Sequence, residues 1–359
     1  MQIINKFLRI KKVYIFFISL LLFIIIFSTS YLHANSFKVS DIEISSPFEL
    51  NFNKNRVIDD GFRDSFINLI SMITTSGDRN KIKKTPLKEL KSMIDSFTIS
   101  NEKFINNEYF AKLETTFNKK KVLLFLEKKG IFPSTPIRNK VLLIPILIDL
   151  EIDRINLFTD NIFYQKWNLD NKKYHLLDYL LPSEDIEDLN NIQRASSFIE
   201  NYDFKNIIKK YDLEDYIISI VFKNKNEVRV LSKINLKNSL KVNSQTFKIT
   251  NLNNEKDLML ILEKLKTTYE NYWKKNNEIN TSIKLPLTVS INSTEYDKIL
   301  ELEKMLNEND LISDFYILKF NNQNTYYKII YNGSPNIFFN DMNKGNIKLV
   351  IENNIWIIK

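Results

Sequence analysis

Apolar residues recur along this chain in two rhythms, and the switches between them divide it into elements. Phe37, Val39, Ile42 and Ile44 suggest a short extended run, and Asp59 and Asp60 offer an N-cap for a following helix. That helix aligns Phe62, Phe66, Leu69, Ile70 and Ile73 on one face, with Gly77 just past its end. A second short helix is expected from Pro86, carrying Leu87, Leu90 and Ile94. Extended segments follow at Phe97 to Phe104 and Tyr109 to Phe117, the latter placing Ala111, Leu113, Thr115 and Phe117 on one face. Asn118 then caps a helix bearing Val122, Leu123 and Leu126 that closes at Gly130.

Pro133 and Pro136 mark a linker. Val141 to Leu150, VLLIPILIDL, is a continuous apolar run, which suggests a strand covered by helices on both faces. Pro145 argues against it, because proline donates no ladder hydrogen bond. A helix is expected within Asn156 to Trp167. The segment Leu176 to Leu181 leads to a helix start with Ser183 as N-cap, and Phe204 to Tyr211 is helical. Strands near Tyr216 to Phe222, Glu227 to Ile234 and Ser244 to Thr250 precede a long helix from about Glu255 to Trp273. After a polar stretch the pattern becomes strand (Leu285 to Ile291), helix capped by Ser293 or Thr294, strands Phe315 to Phe320 and Thr325 to Tyr331, helix Asn336 to Asn343 and strand Ile347 to Ile351. That order, β-α-β-β-α-β, is ferredoxin-like.

Val13 to Leu32 is a different kind of segment, twenty residues without a charge behind Lys6, Arg9, Lys11 and Lys12. A basic flank before such a run is read by the export machinery, with the basic side kept in the cytoplasm. Ala34, with Leu32 two residues earlier, supplies a small-residue cleavage site and favours a removed signal. Signal apolar regions run ~7–15 residues and a spanning helix needs ~20, so the length favours a retained anchor. Both readings place the remainder in the periplasm or on the periplasmic face of the inner membrane. The expected organisation is a signal or anchor helix at 1–34, an α+β domain at 35–132, an α/β domain at 133–275 and the ferredoxin-like unit at 283–359. The expected fold class is α/β and α+β, built as tandem small two-layer domains.

Composition narrows the chemistry. The net charge of +8 includes four basic residues in the export segment, which holds no acid. The mild excess that remains is spread out and forms no nucleic-acid footprint. There is no cysteine, hence no disulfide, thiol nucleophile or lipid-modified cysteine. Of the two histidines, His33 lies in the export segment and His175 stands alone, too few for a multi-histidine zinc site. The five glycines, Gly61, Gly77, Gly130, Gly333 and Gly345, are too dispersed for a glycine-rich phosphate loop. No cofactor is expected.

The stretch Leu69 to Gly77, the strand ending at Phe117, the helix to Gly130, Phe132 to Arg138 and VLLIPILID together resemble an uncharacterised envelope family of Gram-negative bacteria, domain-of-unknown-function family 2066. LLPSEDIED resembles that family's Leu-Pro-x-x-Asp-x-Glu-Asp stretch, and KKYDLEDYIISIVF its Tyr-rich helix-to-strand step. The similarity covers most of Phe37 to Lys359. The chain departs from it at Ile131, Phe132 and Pro133, where relatives often carry Gly and Trp. The resemblance implies an exported envelope protein and supplies no activity.

Glu184, Asp185, Glu187 and Asp188, with His175 upstream, are the candidate binding residues. Paired carboxylates could hydrolyse glycan as acid and base, or hold calcium. The plainer reading is that acids gather in a helix's first turn because the dipole is positive there. Tyr269, Tyr272 and Trp273, followed by Lys274 and Lys275, could stack on sugars or meet a membrane, but at helical spacing they read as core, as do Tyr326, Tyr327 and Tyr331 on their strand. No catalytic or metal-ligating residue is assigned. The expectation is a non-catalytic periplasmic interaction or scaffold protein with envelope proteins as partners, held to the inner membrane through residues 13–32 if these are retained. The alternatives are a glycan- or lipid-binding module and a carboxylate-based cell-wall hydrolase.

Overall fold

The computed structural model describes residues 37–359 other than 250, 253, 310, 353 and 354. The apolar stretch Val13 to Leu32 and the 1–34 boundary lie outside the described residues. Among those described, no helix is long and apolar enough to cross a membrane. Residues 37–359 form a mixed α/β structure with three sheets, each with its own core, inside one compact unit.

The first sheet is antiparallel, with β3 (Glu108–Phe117) between β1 (Lys38–Pro47) and β2 (Ile94–Ile105). The period-two pattern of β3 buries Tyr109, Ala111, Leu113, Thr115 and Phe117, the expected face with Tyr109 added. Helix α1 (Lys54–Ile73) lies across it. Its N-cap is Asn53, whose side chain accepts from the Arg56 N–H, so Asp59 and Asp60 fall inside the helix rather than capping it. Gly61 lets this helix approach the sheet: a Cβ there would lie 2.7 Å from Ile44 Cγ2 and 2.8 Å from Leu113 Cδ2. Gly77 does not follow the helix as a stop; it is inside a separate short helix, α2 (Ser76–Ile82), capped by Thr75. Helix α3 (Leu87–Ser92) ends before Ile94, which begins β2. Helix α4 (Lys119–Lys128) closes as expected at Gly130 (φ +66°), where the Gly130 N–H reaches Glu127 O at 2.9 Å and the Ile131 N–H reaches Leu126 O at 3.0 Å.

The central sheet is built on β4 (Asn139–Asp149), eight consecutive residues of which are buried. Its alternate residues feed two cores: Val141, Leu143 and Leu147 on one face, Leu142, Ile144, Ile146 and Ile148 on the other. This unit therefore has three layers, not the two expected of each domain. β7 (Tyr216–Asn224) runs parallel to β4 on one side, followed by antiparallel β8 (Glu227–Leu236) and β9 (Ser239–Lys248). The other side is shared. β6 (Leu177–Leu180) pairs in parallel with Asn139 to Leu142, and β5 (Arg154–Asn156) pairs antiparallel with Leu147 to Asp149. Pro145 sits at the gap between them, where no strand needs its missing N–H, and its carbonyl accepts from the buried Asn161 amide at 3.1 Å.

Helix α5 (Ile162–Lys166) and the long α8 (Glu255–Asn276) cover one face of this sheet. The other face is covered by α6 (Ile186–Arg194), the 3₁₀ turn Ser196–Asn201 and α7 (Lys205–Lys209). Asp185, not Ser183, is the N-cap of α6.

The third sheet departs from the ferredoxin pattern in one strand. Its order is β11 (Ile312–Phe320), β12 (Asn324–Tyr331), β10 (Leu285–Asn292), β14 (Ile355–Ile358), β13 (Leu349–Glu352). β13 arrives after α10 (Pro335–Lys344) antiparallel to β14, and β14 turns back to lie parallel to β10. A ferredoxin-like unit would place an antiparallel strand beside β10; here the returning hairpin strand occupies that position. Helix α9 (Tyr296–Glu308) has Glu295 at its N-cap with no side-chain bond, because Ser293 and Thr294 are engaged elsewhere, with Asn321 O and Asn292 respectively.

The linker at residues 133–136 and the polar stretch after α8, the expected domain boundaries, run beside each other. The Ile279 N–H donates to Pro133 O and the Thr135 N–H to Asn277 O. Lys119 donates to Asn309 O, Lys120 pairs with Asp314 at 2.7 Å and Lys284 with Glu127 at 3.1 Å, tying α4 to the third unit.

Candidate functional site

The central sheet has a topological switch point. The connection leaving the carboxyl end of β4 passes through α5, whose Phe163 joins one core. The connection leaving the neighbouring β6 passes through α6, whose Ile192 joins the other. Where adjacent parallel strands send their connections to opposite faces, a crevice opens at their carboxyl ends, the usual ligand position in open α/β sheets. A cavity of about 460 Å³ lies there, lined by residues 153–155 and 157–160 after β4 and by Glu184, Leu189, Gln193 and Ser196 after β6.

Its walls are held by hydrogen bonds within and between the two loops. Buried Asn161 caps α5 by accepting from the Phe163 N–H at 2.9 Å while its amide holds Pro145 O. The Tyr164 hydroxyl donates to Pro182 O at 2.8 Å, the Gln165 amide to Thr159 O, and the Thr159 hydroxyl to Glu184. Burial pushes the Tyr164 hydroxyl pKa up, with Glu184 adding to the effect. Phe158 lines the cavity at φ +48°, a left-handed conformation that is uncommon for an aromatic residue and costs ~1–3 kcal/mol. Arg154 and Asp160 are a loose, exposed pair 3.4 Å apart on its rim.

Of the four acids singled out in the sequence, only Glu184 lines this cavity. Asp185 accepts the Glu187 and Asp188 N–H groups at 2.8 and 3.1 Å, so the first-turn reading describes its local role. Lys210 Nζ lies 2.8 Å from both Asp185 and Asp188, a clamp joining α6 to the end of α7. The lysine and the capping amides hold the Asp185 carboxyl below its usual range. Glu187 is exposed on α6. His175 lies elsewhere, half-buried beside α8; burial first, then Lys266 and Lys274, brings its pKa down to about 4.

A set of buried charges on α8 had no sequence signal. Lys266, Glu270 and Lys274, spaced four apart, are each at most 5 % exposed. Glu270 Oε1 accepts the Leu176 and Leu177 N–H groups at 2.8 and 2.9 Å, fixing the start of β6. Lys266 donates to Asp170 O and Asn171, and Lys274 to Ser71 O at the end of α1. Burial dominates both lysines and lowers each to about 8, while it raises Glu270. Ser76 and Asn271 exchange hydrogen bonds at 2.9 Å, and Trp273 Nε1 donates to Ile137 O at 2.7 Å, so this helix also joins the first unit to the second.

Tyr269 and Trp273 are core residues, with the Tyr269 hydroxyl 2.7 Å from Ser232 Oγ and 3.3 Å from Ser219 Oγ; Tyr272 is half-buried against the same core. Tyr327 and Tyr331 are also buried, whereas Tyr326 faces the other side of β12 beneath the Lys319 ammonium.

No protein family and no curated protein matches the chain.

Proposed function

We propose that this is an exported envelope protein of non-catalytic role, acting in the periplasm or at the periplasmic face of the inner membrane by binding other envelope proteins. The observation that carries the non-catalytic part is the Lys210 clamp on Asp185 and Asp188. Two of the carboxylates that would have to attack or protonate a glycan, Asp185 and Asp188, are employed in capping α6 and anchoring it to α7, which supports a structural role for them. The basic flank and charge-free run of residues 6–32 support export. The core pattern resembling family 2066 points the same way. In-cell cross-linking of a tagged full chain, with mass spectrometry of partners and of the chain's own N-terminal peptide, tests it. A reproducible envelope complex is expected; a chain recovered alone overturns the interaction role.

The switch-point cavity favours a second reading, a binding module for a small polar ligand such as a sugar. It combines hydrogen-bonding groups of both kinds, Arg154, Glu184 and Gln193, with the aromatic Phe158. Titration of the purified chain with a cell-wall disaccharide, followed by amide shifts of residues 153–160, tests that reading. Shifts confined to this loop and Glu184 support it, and no saturable shift rejects it.

A further inference from the structure

The far end of the first sheet carries an apolar tip. β1 ends at Pro47 and leads directly into Phe48, which is 50 % exposed, and Leu50, whose side chain is fully exposed. Beside them, the β2–β3 hairpin turns through Asn106 and Asn107, both left-handed (φ +53° and +60°), a two-residue loop of the type that keeps paired strands in register. This presents Phe104, 60 % exposed, and Ile105, 50 % exposed, next to the Phe48 loop. The two halves are held together: the Phe48 N–H donates to Asn107 O at 2.7 Å, and the Phe48 ring meets Phe104 edge-on at 4.9 Å. Phe52 and Tyr109 pack underneath, at 5.3 Å between centroids. The tip is thus a preformed cluster of outward-facing apolar side chains, whose turn is closed by a further bond from the Phe52 N–H to Glu49 O.

We infer that this tip docks into the interfacial layer of a lipid bilayer. An exposed apolar patch of this kind marks a membrane or protein contact. Two observations favour lipid. First, the tip's backbone donors at Phe48 and Phe52 are already satisfied within the protein, which lowers the cost of bringing this turn into apolar surroundings. Second, the uncharged stretch Val13 to Leu32 ends sixteen residues before Phe48, ten of them in β1, so at most ~55 Å of chain separates a segment of membrane-spanning length from the tip. A tethered body keeps its tip at high effective concentration beside the bilayer. Phe48 and Phe104 supply the aromatic bodies suited to the headgroup boundary, with Leu50 and Ile105 projecting beside them. The inference rests on the membrane-directed reading of residues 6–32 given above.

The absence of cysteine makes the test clean. Leu50→Cys, Ile105→Cys and, as a control, Lys241→Cys on the exposed part of β9 each give the full chain one site for an environment-sensitive fluorophore. The labelled chains are mixed with phosphatidylcholine vesicles, floated on a density gradient, and probed with nitroxide-bearing lipids. The expected result is flotation of all three, with a blue shift and nitroxide quenching at positions 50 and 105 and neither at 241. Flotation with all three probes equally water-exposed overturns the tip and leaves the membrane-directed segment standing. Failure of all three to float overturns both.

Discussion

Glu270 and Lys274 lie one turn apart on α8, almost fully buried, with Glu270 Oε2 3.8 Å from the lysine Nζ and without a hydrogen-bond partner of its own. The pair's strong bonds are made outward instead, from Glu270 Oε1 to the amides that begin β6 and from Lys274 to the carbonyl of Ser71 in α1. The carboxylate therefore organises the central sheet, while the ammonium reaches the first unit. Removing Glu270 by Glu270→Ala leaves the Leu176 and Leu177 amides unpartnered and takes the counter-charge from the buried Lys274 ammonium, and should cost about 3–5 kcal/mol in urea denaturation. Replacing both charges, Glu270→Leu with Lys274→Met, should recover the part of that loss due to the uncompensated Lys274 charge, while the Leu176 and Leu177 amides stay without their acceptor.

Stability should fall in mild acid through His175. Its folded-state pKa of about 4 is below the ordinary 6.5, so the unfolded chain takes up the proton first and the stabilisation present above pH 6.5 is lost as pH falls towards 4. The groups acting on it are Lys266 and Lys274 from α8 and Asp170 and Lys172 from its own loop. After allowance for solvent screening the effect is on the order of 1–2 kcal/mol. Thermal melts of His175→Gln between pH 4 and 7 should show a shallower acid slope than the parent chain; an unchanged slope assigns the acid response to other groups.

Gly61→Ala should destabilise the chain even though alanine favours helix. The ~1 kcal/mol gained from helix propensity is opposed by a Cβ placed 2.7 Å from Ile44 and 2.8 Å from Leu113, and overpacking of that kind costs about 1–3 kcal/mol. Gly77→Ala is the matched control. The nearest atom there is Thr75 Oγ1 at 4.0 Å, so the same change should be neutral or stabilising in the same denaturation assay.

Asn161→Ala should loosen the cavity at the switch point. It removes the α5 cap and leaves the Pro145 carbonyl unpartnered inside the protein, together about 1–3 kcal/mol. Faster amide hydrogen exchange across residues 158–165, with the third sheet unaffected, is the expected signature.

The sequence was most legible where local pattern and burial agree. The buried face of β3 and the stripe of α8 follow from periods of 2.0 and 3.6, the doubly buried β4 from its continuous apolar run, and the stop at Gly130 from glycine's left-handed backbone. It was least legible at element ends. Asn53, Asp185 and Glu295 hold N-cap positions expected of Asp59 or Asp60, Ser183, and Ser293 or Thr294, because capping depends on which nearby side chain has no stronger partner. Helix α2 was hidden because Gly77 reads equally well as a stop and as an early helical residue.

The residues alone determined which segments could be strands or helices, the absence of thiol and multi-histidine chemistry, and the charge-free run at the N-terminal end. Tertiary structure decided the rest. Pro145 is tolerated in β4 because β5 and β6 leave a gap beside it, β14 rather than β13 lies against β10, and Lys266, Glu270 and Lys274 are buried although charged residues at that spacing read as a solvated face. Each of these depends on a partner distant in the chain. Local periodicity reports only which face an element would bury, and the fold determines what lies against that face.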